Sequence, residues 1–314
     1  MQVVFMFLER FIQYIQFEKR YSPHTVSAYQ SDLGQFIAFL NNPEGIEPPP
    51  ELTITHPDQI THHHIRNWMV DMMGNEIASR SVSRKIATLR KYFKFLLADG
   101  IIIVNPASKI NTPKVPKNLP VVVEDAKLTQ MLDGALNGSG TPIFNEDFAG
   151  TRDKLVVEML FGTGMRLAEL VGLKETDIDK YEGTVKVLGK RNKQRIIPLN
   201  NELKLLLERY LLLKKSENFS NNSLTLIVTN KGTDVYPKLI YLIVQKYLSH
   251  ISTQSKRSPH VLRHTFATSL LNKGADLNAI KELLGHANLS ATQIYTHNSV
   301  ERLKSIYKLA HPKA

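Results

Sequence analysis

Cysteine is absent from all 314 residues, which excludes disulfides, thiolate nucleophiles and cysteine-ligated zinc. Long apolar runs are missing too: no stretch approaches the ~20 residues that a membrane-spanning helix needs. The apolar start from Val3 to Leu8 is short, has no basic flank and runs into Glu9-Arg10. It therefore reads as a buried helix face and not as a secretion signal. Acidic residues are in deficit, with twenty-nine Asp and Glu against forty Lys and Arg, a net charge of +11. No carboxylate cluster of the kind a metal nuclease requires is visible. The expectation is a soluble cytoplasmic protein with no membrane contact, no bound metal and no cofactor, whose positive excess suits a polyanion such as nucleic acid.

His62-His63-His64 is no exception on metals. Consecutive helical residues point about 100° apart and do not converge on one ion, so the triplet reads as an exposed helix start.

Proline marks the divisions of the chain. Pro43, Pro48, Pro49, Pro50 and Pro57 define a loop between helical pairs. Pro106, Pro113, Pro116 and Pro120, with Lys109, Lys114, Lys117 and no acid, read as an extended basic linker over 105–120. Residues 1–104 then form an all-helical domain and 121–314 a second domain of helices with a few strands. In the first, Phe5, Leu8, Phe11, Ile12 and Ile15 recur at helical spacing, and Ser22-Pro23 opens a second helix. A third covers about 61–73. A fourth, from about Ser79 to Ala98, turns Val82, Ile86, Leu89, Phe93 and Leu96 inward. Its outer face carries Arg80, Arg84, Lys85, Arg90, Lys91 and Lys94 without an acid, which marks it for DNA contact. In the second domain, residues 134–152 read as a surface loop. The runs 184–188 and 195–197 flank a hairpin, Leu224 to Thr229 is a third strand, and helices follow at about 201–214, 237–249, 259–273, 276–284, 290–295 and 299–309.

One group of residues carries chemistry. A tyrosine phenol, with an ordinary pKa of ~10, attacks a phosphodiester only when its proton is removed or its anion stabilised. Tyr295 lies nine residues after His286. His260 and Arg263 share one helical face, and Arg166 follows Gly162-Thr163-Gly164, with Glu169 one turn on to hold it. Arginine forks suit the non-bridging oxygens of a phosphate. A histidine can shuttle the phenol proton, and Lys190, at the hairpin tip, can protonate a leaving oxygen. Arg191, Lys193 and Arg195 read as contacts to a nucleic-acid backbone.

These segments together are similar to the tyrosine recombinases. They comprise Gly162 to Leu170, the hairpin Gly189 to Arg195, Pro259-His260-Val261-Leu262-Arg263-His264-Thr265, and Leu283-Leu284-Gly285-His286 through Tyr295-Thr296-His297. The resemblance spans nearly the whole chain and is strongest to the bacterial Xer branch, which resolves chromosome dimers. It implies a mainly α fold with a small β-sheet (α+β), in which a SAM-like helical N-terminal domain and a catalytic domain form a C-shaped clamp on duplex DNA. It implies Arg166, Lys190, His260, Arg263 and His286 as the activating residues and Tyr295 as nucleophile, forming a 3′-phosphotyrosine on the way to a Holliday junction. Recombinase protomers, four on two sites, are the implied partners, with a septal DNA translocase as a regulatory one. The C-terminal helix would dock on a neighbouring protomer, or else pack on its own core. Three departures stand out: Arg191 where glycine is usual, Ala168 for a common serine, and a long 134–152 loop. The alternatives are a mobile-element integrase, a type IB topoisomerase, a DNA-binding protein without catalysis and a metal nuclease. The DNA site itself is not legible.

Overall fold

The computed structural model describes residues 2–41, 54–115, 122–134, 140–189, 193–219, 223–251, 257–285, 305, 307 and 310. The chain divides into two compact units, Met1–Asn118 and Leu119–Ala314, each with its own core.

The first unit is helical throughout. Helix α1 (Gln2–Gln13) runs into one wide π-turn, Tyr14–Glu18. Helix α2 (Pro23–Asn41) starts where the Ser22 hydroxyl accepts from the Thr25 N–H at 3.4 Å and meets the Thr25 hydroxyl at 2.8 Å. Helices α3 (His62–Gly74) and α4 (Ser79–Ala98) complete the unit. The apolar stripe of α4 was legible in its period: Val82, Ile86, Leu89, Phe93 and Leu96 are fully buried. Against them lie Phe11, Phe36 and Trp68, with the Phe36 and Trp68 rings 5.0 Å apart. Each such side chain stabilises the unit by ~1.5–3 kcal/mol on burial.

This core reaches past residue 104. Ile102, Ala107 and Ile110 are buried in it, and Arg90 donates to the Ala107 carbonyl at 3.4 Å and to that of Ile110. Two apolar residues three apart dock the start of the proline-rich segment, so its first residues are not an extended spacer. His62 and His63 lie exposed on α3. His64 serves as a cap, its Nδ1 accepting from the Thr61 N–H at 3.1 Å.

The second unit is built around α6 (Phe148–Thr163), which is buried on every side. Its first turn falls within 134–152, the stretch whose composition reads as surface loop. The Asp147 carboxylate caps it by accepting from the Gly150 N–H at 2.7 Å. Gly150, part of the loop-like composition, sits in the first turn because a Cβ there would come within 2.3 Å of the Asn145 carbonyl oxygen. Around α6 lie α5 (Asp125–Leu132), α7 (Leu167–Val171), α8 (Asn201–Ser216), α9 (Pro237–Ile251), α10 (Pro259–Asn272) and α11 (Leu277–Leu284). A three-stranded antiparallel sheet has the order β1 (Ile178–Asp179), β2 (Thr184–Leu188), β3 (Gln194–Pro198), with Val185 opposite Ile197. The expected strand at 224–229 is replaced by two isolated bridges, Lys174 with Thr225 and Val228 with Asp234. Its backbone is satisfied elsewhere: Leu226 N–H donates to the Leu173 carbonyl, and Lys214 Nζ donates to the carbonyls of Thr225 and Leu226.

At the C-terminal end, Ser305, Tyr307 and Ala310 are helical. Tyr307 and Ala310 are buried in the core of their own unit, and the Tyr307 hydroxyl donates to the Gly162 carbonyl at 2.7 Å. The described residues of this segment thus pack on the core of their own unit. Among the described residues, no helix is long and apolar enough to cross a membrane.

Candidate active site

The C-terminal end of α6 organises the site. The helix stops at Gly164, which adopts φ +60°. A Cβ there would lie 2.4 Å from Phe266 Cδ1 and 2.9 Å from Leu284 Cδ2, so α10 and α11 close directly over the turn. The chain then leaves through Met165, and Arg166 becomes the N-terminal cap of α7.

Arg166 is anchored as its spacing predicted. The Glu169 carboxylate accepts from the Arg166 backbone N–H at 2.6 Å and from its Nη1 at 2.9 Å. Nη2 reaches the Gly285 carbonyl at 3.4 Å. The side chain stays 34% exposed, so its remaining donors face outward.

Arg263, three residues after His260 on α10, is buried. Its Nη1 donates to the Gly164 carbonyl at 2.5 Å and its Nη2 to the Leu284 carbonyl at 2.6 Å. The two guanidiniums therefore rest on successive carbonyls, Leu284 and Gly285, at the end of α11. Burial first, and then the charges of Arg166 and Arg195 against an opposing pull from Glu169, lower the pKa of Arg263 to about 10. It remains charged at neutral pH. His260 lies exposed one turn before, its ring 5.6 Å from that of His264. Partial desolvation holds its pKa below 6.5, helped by His264, Arg263 and Arg166. The imidazole is thus neutral and able to accept a proton.

Arg195 overturns its reading as a backbone contact. It is buried, donating from Nη1 and Nη2 to the two oxygens of Glu169, each at 2.8 Å, and from Nε to the Leu283 carbonyl at 2.8 Å. Burial pushes the Glu169 carboxyl up; hydrogen bonds and charge from Arg195, with those from Arg166, outweigh this and hold it below the usual range. Two guanidiniums, Arg166 and Arg195, bind this one carboxylate, and Arg263 lies within reach of their charges, which leaves an excess of positive charge. Sequence spacing found the Arg166–Glu169 link. It missed Arg195, which approaches from a strand 26 residues away, and only its place on the same strand face as Ile197 carried a hint of burial.

Lys190, Arg191, His286 and Tyr295 lie outside the described residues. Gly189 and Lys193 pair across the base of the hairpin, the Gly189 N–H donating to the Lys193 carbonyl at 2.7 Å, and Lys193 is exposed.

The basic face of α4 needs correction. Lys85 is buried, with Nζ 3.2 Å from the carboxylate of buried Asp32 and 2.5 Å from Gln35 Oε1. Arg84 also pairs with Asp32, which Thr88 joins at 3.0 Å. Arg90 is spent on the carbonyls of residues 107 and 110. Lys91 donates to the Tyr21 hydroxyl, its ammonium 4.3 Å from the centre of that ring. Arg80 and Lys94 remain exposed. For Lys85 the outer-face reading fails because Asp32, 53 residues away, meets it from another helix; Arg84 pairs with the same carboxylate and yet stays exposed.

Comparison with known proteins agrees with this architecture. Residues 141–302 match the phage integrase family, and residues 8–100 match the phage integrase N-terminal SAM-like domain. The chain belongs to the phage integrase family of tyrosine recombinases and is a site-specific recombinase, an enzyme that breaks and rejoins DNA. It is 36% identical to the tyrosine recombinase XerC of Chlorobaculum parvum, covering 98% of this chain and 94% of that protein. To the XerC of Oceanobacillus iheyensis it is also 36% identical, covering 98% and 97%. The solved structure of the XerH site-specific recombinase bound to a palindromic difH substrate shares the fold, with a TM-score of 0.67 at 20% identity over 95% of this chain and 82% of that one.

Proposed function

We propose that Arg166 and Arg263 clamp the non-bridging oxygens of the scissile phosphate, and that Tyr295 attacks it. The observation that carries this is the gathering of Arg166, Arg195 and Arg263, of which Arg166 and Arg195 share the carboxylate of Glu169 and Arg263 rests on the adjacent Gly164 and Leu284 carbonyls. Placing like charges so close is costly, and an incoming anion offsets that cost. In the reaction the Tyr295 oxygen forms a bond to phosphorus while the bond to the 5′ oxygen breaks. The phenol proton passes to His260 or His286, and Lys190 supplies the proton that leaves with the 5′ oxygen. The 3′-phosphotyrosine conserves the bond energy, so a 5′ hydroxyl from a partner duplex reseals it without ATP, and two such exchanges pass through a Holliday junction. Neither a metal nor a cofactor enters this chemistry.

The XerC relatives support the wider setting. Protomers assemble, four on two sites, on duplex DNA carrying a specific recombination site, and resolve chromosome dimers in the cytoplasm at cell division under a septal DNA translocase. Exposed Arg80, Arg84, Lys94 and Lys193 are proposed to meet the DNA backbone, together with Arg191.

A suicide duplex nicked beside the cleavage point tests the chemistry. Wild type is expected to accumulate protein-linked DNA and Tyr295→Phe none; equal trapping by the two would remove Tyr295 as nucleophile. Protection mapping across the replication-terminus region tests the chromosomal role.

A further inference from the structure

We propose that Arg195 is a positioning residue for strand transfer, a buried guanidinium that acts through Glu169 to aim Arg166 and keep it charged toward the phosphate. The inference rests on the assignment of Arg166 to the scissile phosphate.

The geometry points this way on three counts. First, Arg195 is 4% exposed and commits Nε, Nη1 and Nη2 to the protein; it has no face left for DNA. Second, it governs how Glu169 treats Arg166. A buried carboxylate with Arg166 as its one cationic partner would draw that guanidinium into a bidentate fork and cancel its charge. With Arg195 bound to both oxygens, Arg166 makes a single side-chain contact to Glu169, through Nη1, while Oε2 also accepts from its backbone N–H and Nη2 rests on the Gly285 carbonyl. The remaining Arg166 donors are free for a phosphate. Third, Arg195 supports the seat of both phosphate arginines. Its Nε holds the Leu283 carbonyl, and its stem packs on Gly285, where a Cβ would come within 3.2 Å of Arg195 Cδ. The neighbouring carbonyls of Leu284 and Gly285 are those that Arg263 and Arg166 use. One side chain from β3 thus ties α7, the end of α11 and the site's charge balance together.

The test uses the full chain and two suicide duplexes, one with an ordinary scissile phosphodiester and one with a methylphosphonate there. The methyl group replaces a charged oxygen, so the substrate is neutral and depends less on positive charge. Arg195→Met is expected to cleave the phosphodiester ~10²-fold more slowly than wild type, the scale of losing one preorganised donor. On the methylphosphonate it should fall within about tenfold of wild type, with DNA affinity on either duplex within about threefold. Equal losses on both substrates, or no loss on the phosphodiester, overturn the proposal. If Arg195→Met lacks a cooperative melt, Arg195→Lys replaces it. That variant keeps the charge but not the fork, and the expected loss is about tenfold with the same substrate dependence; a loss independent of substrate overturns the proposal. Arg166→Ala serves as the reference. If it shows no difference between the substrates, the phosphate assignment itself falls and the Arg195 inference with it. If Arg166→Ala discriminates and the Arg195 variants do not, the inference about Arg195 alone is overturned.

Discussion

His260 shows how single residues are tuned by their neighbours. Its ring reaches solvent, yet partial burial and the charges of His264, Arg263 and Arg166 all disfavour the imidazolium. A histidine whose pKa is lowered stays neutral, and able to accept the phenol proton, to a pH below its ordinary value. The acid limb of cleavage is therefore expected below pH 6.5. Replacing His264 with Gln removes the largest of these neighbouring charges and should move that limb upward. Single-turnover cleavage of the suicide duplex between pH 5 and 8 reads this out; an acid limb unmoved in His264→Gln would mean that the two rings do not communicate.

Among the elements, α6 and the turn after it matter most. A helix buried on all sides has no amphipathic period, so α6 escaped a reading based on periodicity, and its Gly-containing first turn looked like loop. Gly164 is required twice over, by its positive φ and by the 2.4 Å approach of Phe266. Gly164→Ala is expected to cost ~1–2 kcal/mol for the left-handed backbone and ~1–3 kcal/mol for overpacking. Thermal melting should show a clear fall in Tm. Cleavage should fall as well, because the Gly164 carbonyl seats Arg263. A Tm unchanged from wild type would contradict the close packing of α10 and α11 on this turn.

At the scale of the whole molecule the question is where the net charge of +11 is spent. Part of the basic surface predicted on α4 is internal wiring, with Lys85 buried on Asp32 and Arg90 on the 107–110 turn, while Arg84 reaches the same Asp32 from an exposed position. Exposed cations that meet phosphates release counterions, so Arg80→Ala and Lys94→Ala should each lower the log–log salt slope of DNA binding by about 1. Lys85→Ala should leave that slope unchanged and lower the Tm instead, since leaving the buried Asp32 short of a partner costs ~3–5 kcal/mol. Fluorescence anisotropy across a salt series, beside thermal melts, checks both. A reduced slope in Lys85→Ala would place that ammonium on the DNA.

The sequence alone determined the family, the fold class and the short-range links of the site. Helical periodicity identified the α4 stripe, the Ser22 start was legible as a cap, and three-residue spacing joined Arg166 to Glu169 and His260 to Arg263. All of these depend on local geometry that repeats every turn. What only the tertiary structure decided were the long-range pairings: Arg195 on Glu169 and Leu283, Lys85 on Asp32, Ile110 in the first core, and Tyr307 on Gly162. In each, a polar or apolar group is satisfied by a partner distant in the chain, and sequence spacing carries no information about which one. A buried charge and a solvated one look alike until the opposite element arrives, and for that reason Arg195 passed for a surface residue.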